Sequence, residues 1–182
     1  MLRPLYLLVF KALGWKIQGA FPPDIKKYIV AVGPHTSNWD FMVGLAGRSI
    51  LRIQKAKFLG KSTLFKPPFG WVFRMLGGYP VDRSQRHDMV AQVASLFASH
   101  DEFVLAIAPE GTRKKVEKLR TGFYYIAKKA NIPIVPVGFD YGKKEIVVSP
   151  PLYPTGDFDH DMALLLGFYR NIVGKNPELG IS

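Results

Sequence analysis

Cysteine is missing from all 182 residues, so disulfides and Cys-ligated metals are excluded, and the composition suits a reducing compartment. Long apolar runs are missing too. The first fifteen residues are apolar but broken by Arg3, Pro4 and Lys11, well short of the roughly 18 to 20 residues that span a bilayer. A secretory signal is not expected, because the run Leu5 to Phe10 is short and no small-x-small cleavage site follows it. No internal repeat, low-complexity tract or nucleic-acid recognition motif is present, and nucleic acid is not an expected partner. Gly60-Lys61-Ser62 ends like a phosphate loop, yet the glycine required at position 55 is Lys55. No His, Asp and Glu set has metal-ligand spacing, so neither metal nor cofactor is expected.

Acidic residues are also scarce. Twenty-five Lys and Arg face 14 Asp and Glu, a net charge of +11 that points to a polyanion or an anionic membrane surface. The 48% hydrophobic content suits one domain burying about 70% of its unfolded surface. Residues 1–20 read as an apolar N-terminal helix and residues 21–182 as the main domain. That helix carries Tyr6, Phe10 and Trp15 with Arg3, Lys11 and Lys16, a composition open to two placements: flat in a membrane interface, or packed against its own domain.

Apolar runs at 28–33, 103–108 and 132–139 read as strands buried on both faces, with shorter strands at 79–83 and 145–148, the latter able to run antiparallel in a mixed sheet. The prolines at 133 and 136 predict an irregular or partly unpaired third strand. Helical patterns cover 40–53, 69–76, 87–100, 121–130 and 159–173. Helices alternating with apolar strands give an α/β fold: a single-domain α/β sandwich whose mostly parallel or mixed sheet is flanked by helices.

Two strand ends carry the chemistry. The first runs through Gly33-Pro34 into His35-Thr36-Ser37-Asn38-Trp39-Asp40, with His35 on the loop and Asp40 in the first turn of the next helix. A carboxylate folded back onto one ring nitrogen leaves the other free to take a hydroxyl proton. Ser37 lacks the Gly-x-Ser-x-Gly elbow of a serine nucleophile. By itself the pair does not separate a general base from a loop histidine beside a helix-start aspartate. The second strand ends in Pro109-Glu110-Gly111-Thr112-Arg113-Lys114-Lys115. Gly111 permits close backbone approach, Thr112 offers a hydroxyl, and Arg113 with Lys114 offers partners for phosphate. Strand ends of α/β sheets tend to face one crevice, which ties the two junctions together.

With both junctions in view, the sequence resembles the glycerophospholipid acyltransferases, the family of lysophosphatidic acid and glycerol-3-phosphate acyltransferases. Its four ordered blocks match His35 and Asp40, Gly77 to Arg83, Pro109 to Arg113, and Val135-Pro136-Val137. The resemblance implies that fold and a direct transfer. His35 deprotonates an acceptor hydroxyl with Asp40 orienting the ring, and the alkoxide attacks an acyl thioester of coenzyme A or acyl carrier protein. It implies a lysophospholipid acceptor, foremost 1-acyl-sn-glycerol-3-phosphate, whose phosphate Arg83 and Arg113 clamp, Lys114 assisting. Glu110 is expected to bind an acceptor hydroxyl, the alternative being that it fixes Arg113. A backbone N–H near Gly111 is expected at the oxyanion. The expected location is the cytoplasmic face of a membrane, peripheral or monotopic. The rival reading is a non-catalytic basic lipid-binding protein with the same fold.

Overall fold

The computed structural model describes residues 3–81 and 89–181. Seven strands form one mixed sheet. In chain order they are β1 (Lys16–Gln18), β2 (Lys27–Val32), β3 (Lys57–Lys61), β4 (Gly78–Val81), β5 (Phe103–Ile107), β6 (Ile134–Asp140) and β7 (Glu145–Val148). The spatial order is β1-β7-β6-β2-β5-β3-β4, and the five strands from β6 to β4 are parallel. β7 runs antiparallel to β6, so the α/β class and the mixed sheet expected from the sequence are both present.

Alternation of side chains across the pleat sorts the helices onto two layers. Ile29, Ala31, Leu105 and Ile134 point to one face and are covered by α4 (Met89–Ser99), α5 (Gly122–Ala130) and α6 (Phe158–Tyr169). Tyr28, Val30, Val104 and Val135 point to the other, where α1 (Arg3–Leu13) and α2 (Trp39–Ile50) supply Phe10, Ala46 and Ile50. The short α3 (Gly70–Met75) lies on this second face as well. Phe65, in the 3-10 turn before it, fills the space over Gly60 and Gly78. Phe58, on the same side of β3 as Gly60, meets Phe41 of α2 edge-on at 5.8 Å. Both sides of each central strand are therefore buried, which is why those strands read as unbroken apolar runs.

Three readings change. β1 and β3 have no apolar signature strong enough to announce them, and the stretch considered as a phosphate loop is the strand β3. β6 is neither irregular nor unpaired: it is buried along its whole length between β2 and β7. The backbone groups of residues 133 and 137 serve β2, whereas those of residues 134 and 136 turn the other way. The missing N–H of Pro136 therefore points just beyond Val148, where β7 has ended, and its carbonyl still accepts from Ser149 at 2.9 Å. Finally, α1 packs against its own domain on one side only. Phe10 is buried in the domain, while Leu5, Leu8 and Leu13 face outward.

Candidate active site

β2 and β5 are neighbours, but the chain leaves them towards opposite layers: β2 leads to α2, β5 to α5. That divergence opens a crevice at their carboxyl ends, the switch point at which α/β sheets bind ligands. The two loops bordering it are the two junctions singled out in the sequence.

They are joined through the backbone. The N–H of His35 donates to both carboxylate oxygens of Glu110, at 2.9 Å each. Asp40 holds the other side of the loop. Its Oδ2 accepts the N–H groups of Thr36 at 2.9 Å and Ser37 at 2.8 Å, and lies 3.1 Å from His35 Nδ1. A carboxylate in the first turn of α2 suits the partial positive charge of that helix end. Tyr141, immediately after β6, donates its hydroxyl to Asp40 Oδ1 at 2.8 Å. Asp40 is 2% exposed and Glu110 3%, whereas the His35 side chain retains 21%. Nδ1 is thus spent on a buried carboxylate, leaving Nε2 as the ring nitrogen for a ligand.

The two carboxyls are tuned in opposite directions. Burial raises Asp40, but the hydrogen bonds from His35, Ser37 and Tyr141 outweigh it, and its pKa falls below the usual value. Glu110 rises, because burial dominates and Asp40 adds repulsion, against the His35 N–H and ring that favour its charge. Burial and the bond to Asp40 push the Tyr141 phenol far up, so it acts as a donor only.

The signs set a pH dependence. Asp40, lowered on folding, contributes stability that is complete above its unfolded pKa and is lost as pH falls through the folded value. Glu110, raised on folding, contributes stability complete below its unfolded pKa and lost as pH rises through its raised value. Thermal unfolding of wild type and Glu110→Gln between about pH 4 and pH 8 is expected to show wild type losing ground to the variant as pH rises. A constant difference would show that Glu110 does not titrate on folding within that range.

Glu110 is where the structure departs most from the sequence reading. Among the described residues it makes no ion pair or hydrogen bond with Arg113; both oxygens accept the His35 backbone N–H, an arrangement that positions the loop. The N–H of Gly111 is also not free for an oxyanion, since it donates to the Ala108 carbonyl at 3.0 Å. Gly111 takes a φ of +64°, and a Cβ there would overlap the Arg120 guanidinium. Thr112 accepts the N–H of Lys114 at 3.3 Å, a local turn bond. Arg113 and Lys114 are exposed on the same loop. Arg83 lies outside the described residues.

Sequence reasoning missed Tyr141, Thr36, Asn176 and Arg120. Thr36 is 2% exposed and clipped by Asn176, whose N–H donates to its hydroxyl at 3.1 Å and whose side-chain amide donates to its carbonyl at 2.8 Å. The segment after α6 thereby closes over the His35 loop. It also borders a cavity of about 270 Å³ that includes Lys115 and Arg170. These partners lie 101 and 140 positions away from those they touch, and no local pattern encodes them. Tyr141→Phe removes one donor to the Asp40 carboxylate and is expected to cost about 1.5 to 3 kcal/mol of stability, read from denaturant midpoints.

Comparison with known proteins gives the family of the chain. The model of the family described as Acyltransferase matches residues 16–140, from β1 through the end of β6 and across both junctions. The chain belongs to the acyltransferase family. It is 28% identical over 132 residues to the 1-acyl-sn-glycerol-3-phosphate acyltransferase of Escherichia coli K12, covering 68% of this chain and 52% of that protein. With the enzyme of the same name from Saccharomyces cerevisiae it shares 29% over 120 residues, 62% of this chain and 38% of the other. The chain spans about half the length of the bacterial relatives it matches. The crystal structure of the 1-acyl-sn-glycerophosphate acyltransferase of Thermotoga maritima superposes with a TM-score of 0.60 at 20% identity, over 90% of this chain and 75% of that one. Its α/β architecture is the one described above.

Proposed function

We propose that this acyltransferase-family chain moves a fatty acyl group from an acyl thioester to the free hydroxyl of a lysophospholipid, with 1-acyl-sn-glycerol-3-phosphate as acceptor and phosphatidic acid as product. One observation carries the chemistry. The His35 ring is anchored through Nδ1 on buried Asp40, beside an exposed basic loop at the same crevice. The names of the relatives supply the acceptor class.

In this mechanism His35 Nε2 takes the hydroxyl proton as the oxygen attacks the thioester carbonyl carbon. The tetrahedral intermediate collapses with cleavage of the C–S bond, and the thiolate takes the proton back from the imidazolium. Asp40 holds the tautomer with the proton on Nδ1 and stabilises the transient cation. Arg113, with Lys114 and Arg83, holds the acceptor phosphate. Acyl-CoA and acyl carrier protein both present the required thioester. The protein works in a peripheral or monotopic manner at the cytoplasmic face of an anionic membrane, a location favoured by its net charge of +11 and by the outward leucines of α1. Among the described residues no helix is long and apolar enough to cross a membrane.

The test is mass spectrometry of products from purified protein, a panel of lysolipids and both donors. Acyl transfer to lysophosphatidate is expected from at least one donor. Binding of lipid with no loss of thioester from any donor and acceptor pair would instead establish a lipid-binding protein. Arg113→Ala is expected to raise KM for the phosphate-bearing acceptor about 10- to 100-fold while leaving Tm in place, the loss of one charged hydrogen-bond partner. An unchanged KM would remove Arg113 from the phosphate site.

A further inference from the structure

The layer formed by α1, α2 and α3 is built unlike the opposite one. Of the sixteen exposed large hydrophobic residues among those described, twelve lie on α1, α2, α3 and the turn before α3; the other four are Tyr125, Tyr153, Leu164 and Val173. Phe69 is 69% exposed and Trp71 65%, next to Leu64 and Met75. Trp39 and Met42 stand at the start of α2, beside the His35 loop, and Leu8 and Leu13 lie on α1. These helices share one face of the sheet. Arg3 Nε donates to the Ile50 carbonyl at 3.2 Å, tying α1 to α2, and Arg48 donates to the Leu76 carbonyl at 2.6 Å, tying α2 to the end of α3.

Charge follows the same division. Residues 1–81 hold twelve Lys and Arg against two acidic residues, Asp24 and Asp40, a net of +10. The remaining 101 residues hold thirteen against twelve, a net of +1. Nearly all of the basic excess thus belongs to the part of the chain that forms this layer, and Asp40 is buried. Lys11, Lys66 and Arg74 are exposed among the outward apolar side chains, and the Arg74 guanidinium sits 5.4 Å from the centre of the Phe65 ring.

We infer that the outer surface of the α1-α2-α3 layer is a docking face for an anionic phospholipid bilayer, with α3 and its preceding turn inserted at headgroup depth beside α1. Tryptophan and phenylalanine with lysine and arginine match that interface, whose rings sit at the headgroups while cations meet lipid phosphate. An apolar face of this size points to a partner of its own. The exposed cations Lys11, Lys66 and Arg74 select an anionic bilayer over a second copy of this chain, whose identical cations would repel them. Trp39 and Met42 put the crevice at the rim of the face. The docking face rests on the membrane location proposed above, and delivery of a membrane-resident acceptor to His35 along this rim rests on the reaction proposed there.

The test is co-sedimentation of the full chain with vesicles of phosphatidylcholine alone, or with about a third phosphatidylglycerol, in the absence of any acyl donor. Phe69→Ser, Trp71→Ser and Met75→Ser combined are expected to lower the partition coefficient on anionic vesicles about tenfold or more. Lys11→Gln, Lys66→Gln and Arg74→Gln combined should lower it about a hundredfold, since each cation near the surface is worth about fivefold. Tyr125→Ser with Leu164→Ser, on the opposite layer, should leave it unchanged. Vesicle-bound wild type should also show tryptophan quenching by brominated acyl chains, a readout that needs no variant. Equal binding by wild type and the α3 variant, or no quenching, would overturn the inference. So would a dimer in sedimentation velocity that the α3 variant splits while vesicle binding stays intact. Because none of these readings involves transfer, an inactive chain that still docks would sink the proposed reaction and leave this face standing.

Discussion

His35→Ala is expected to lower acyl transfer about 100- to 10,000-fold while leaving the melting temperature near that of wild type. The rate loss is the usual worth of a positioned general base. Stability is spared because the fold uses the His35 backbone more than its ring. The N–H that binds Glu110 survives the substitution, as do the Thr36 and Ser37 N–H groups on Asp40. His35→Ala removes only the ring contact to Asp40 Oδ2, and the ring is the most exposed part of the cluster. Rates from a lysophosphatidate assay and a melting curve on the same preparation check both halves. A stable variant with full activity would remove His35 from the chemistry.

Asp40→Asn is expected to be more damaging overall, because one side chain serves two ends. Asp40 receives two backbone N–H groups, a ring nitrogen and a phenol through its two oxygens, and it is buried. An amide has one accepting oxygen and carries no charge, so either the two loop N–H groups or the Tyr141 hydroxyl loses its acceptor. Hydrogen bonds to a charged partner are worth about 1.5 to 3 kcal/mol each, and a loss of about 2 kcal/mol or more is expected from denaturant unfolding. Transfer is expected to fall about 1,000-fold or more, since His35 loses the group that fixes its tautomer and steadies the imidazolium. The double variant Asp40→Asn with His35→Ala should then be scarcely slower than either single one, as expected for groups acting as a unit. Additive losses would mean that Asp40 acts apart from His35.

What could be read in advance follows from where the information is stored. The central strands announce themselves because Ile29, Val30, Leu105 and Ile134 are buried by helices on both faces, and a doubly covered strand is apolar throughout. Asp40 was placed in the first turn of its helix and lies there, because His-x4-Asp is a local spacing. The bond of Glu110 to the His35 loop is not legible, because its partner is a backbone N–H 75 positions earlier, and backbone groups leave no trace in residue identity. Tyr141 was invisible for a related reason: it follows a strand whose position beside β2 is set only by the folded sheet. β3 escaped because a five-residue strand containing glycine and two lysines shows no apolar alternation. The basic excess reads from the sequence only as a net charge of +11. Its concentration before residue 82 becomes meaningful only once α1, α2 and α3 are found on one face.

If His35 activates the acceptor, the acyl group passes directly from thioester to hydroxyl. Thiol release from an acyl thioester, followed with and without lysophosphatidate, addresses it most directly. Release should stay at the background hydrolysis rate until the acceptor is added, then match ester formation one for one. A burst of thiol equal to the amount of protein, in the absence of any acceptor, would reveal an acyl-enzyme and contradict the account.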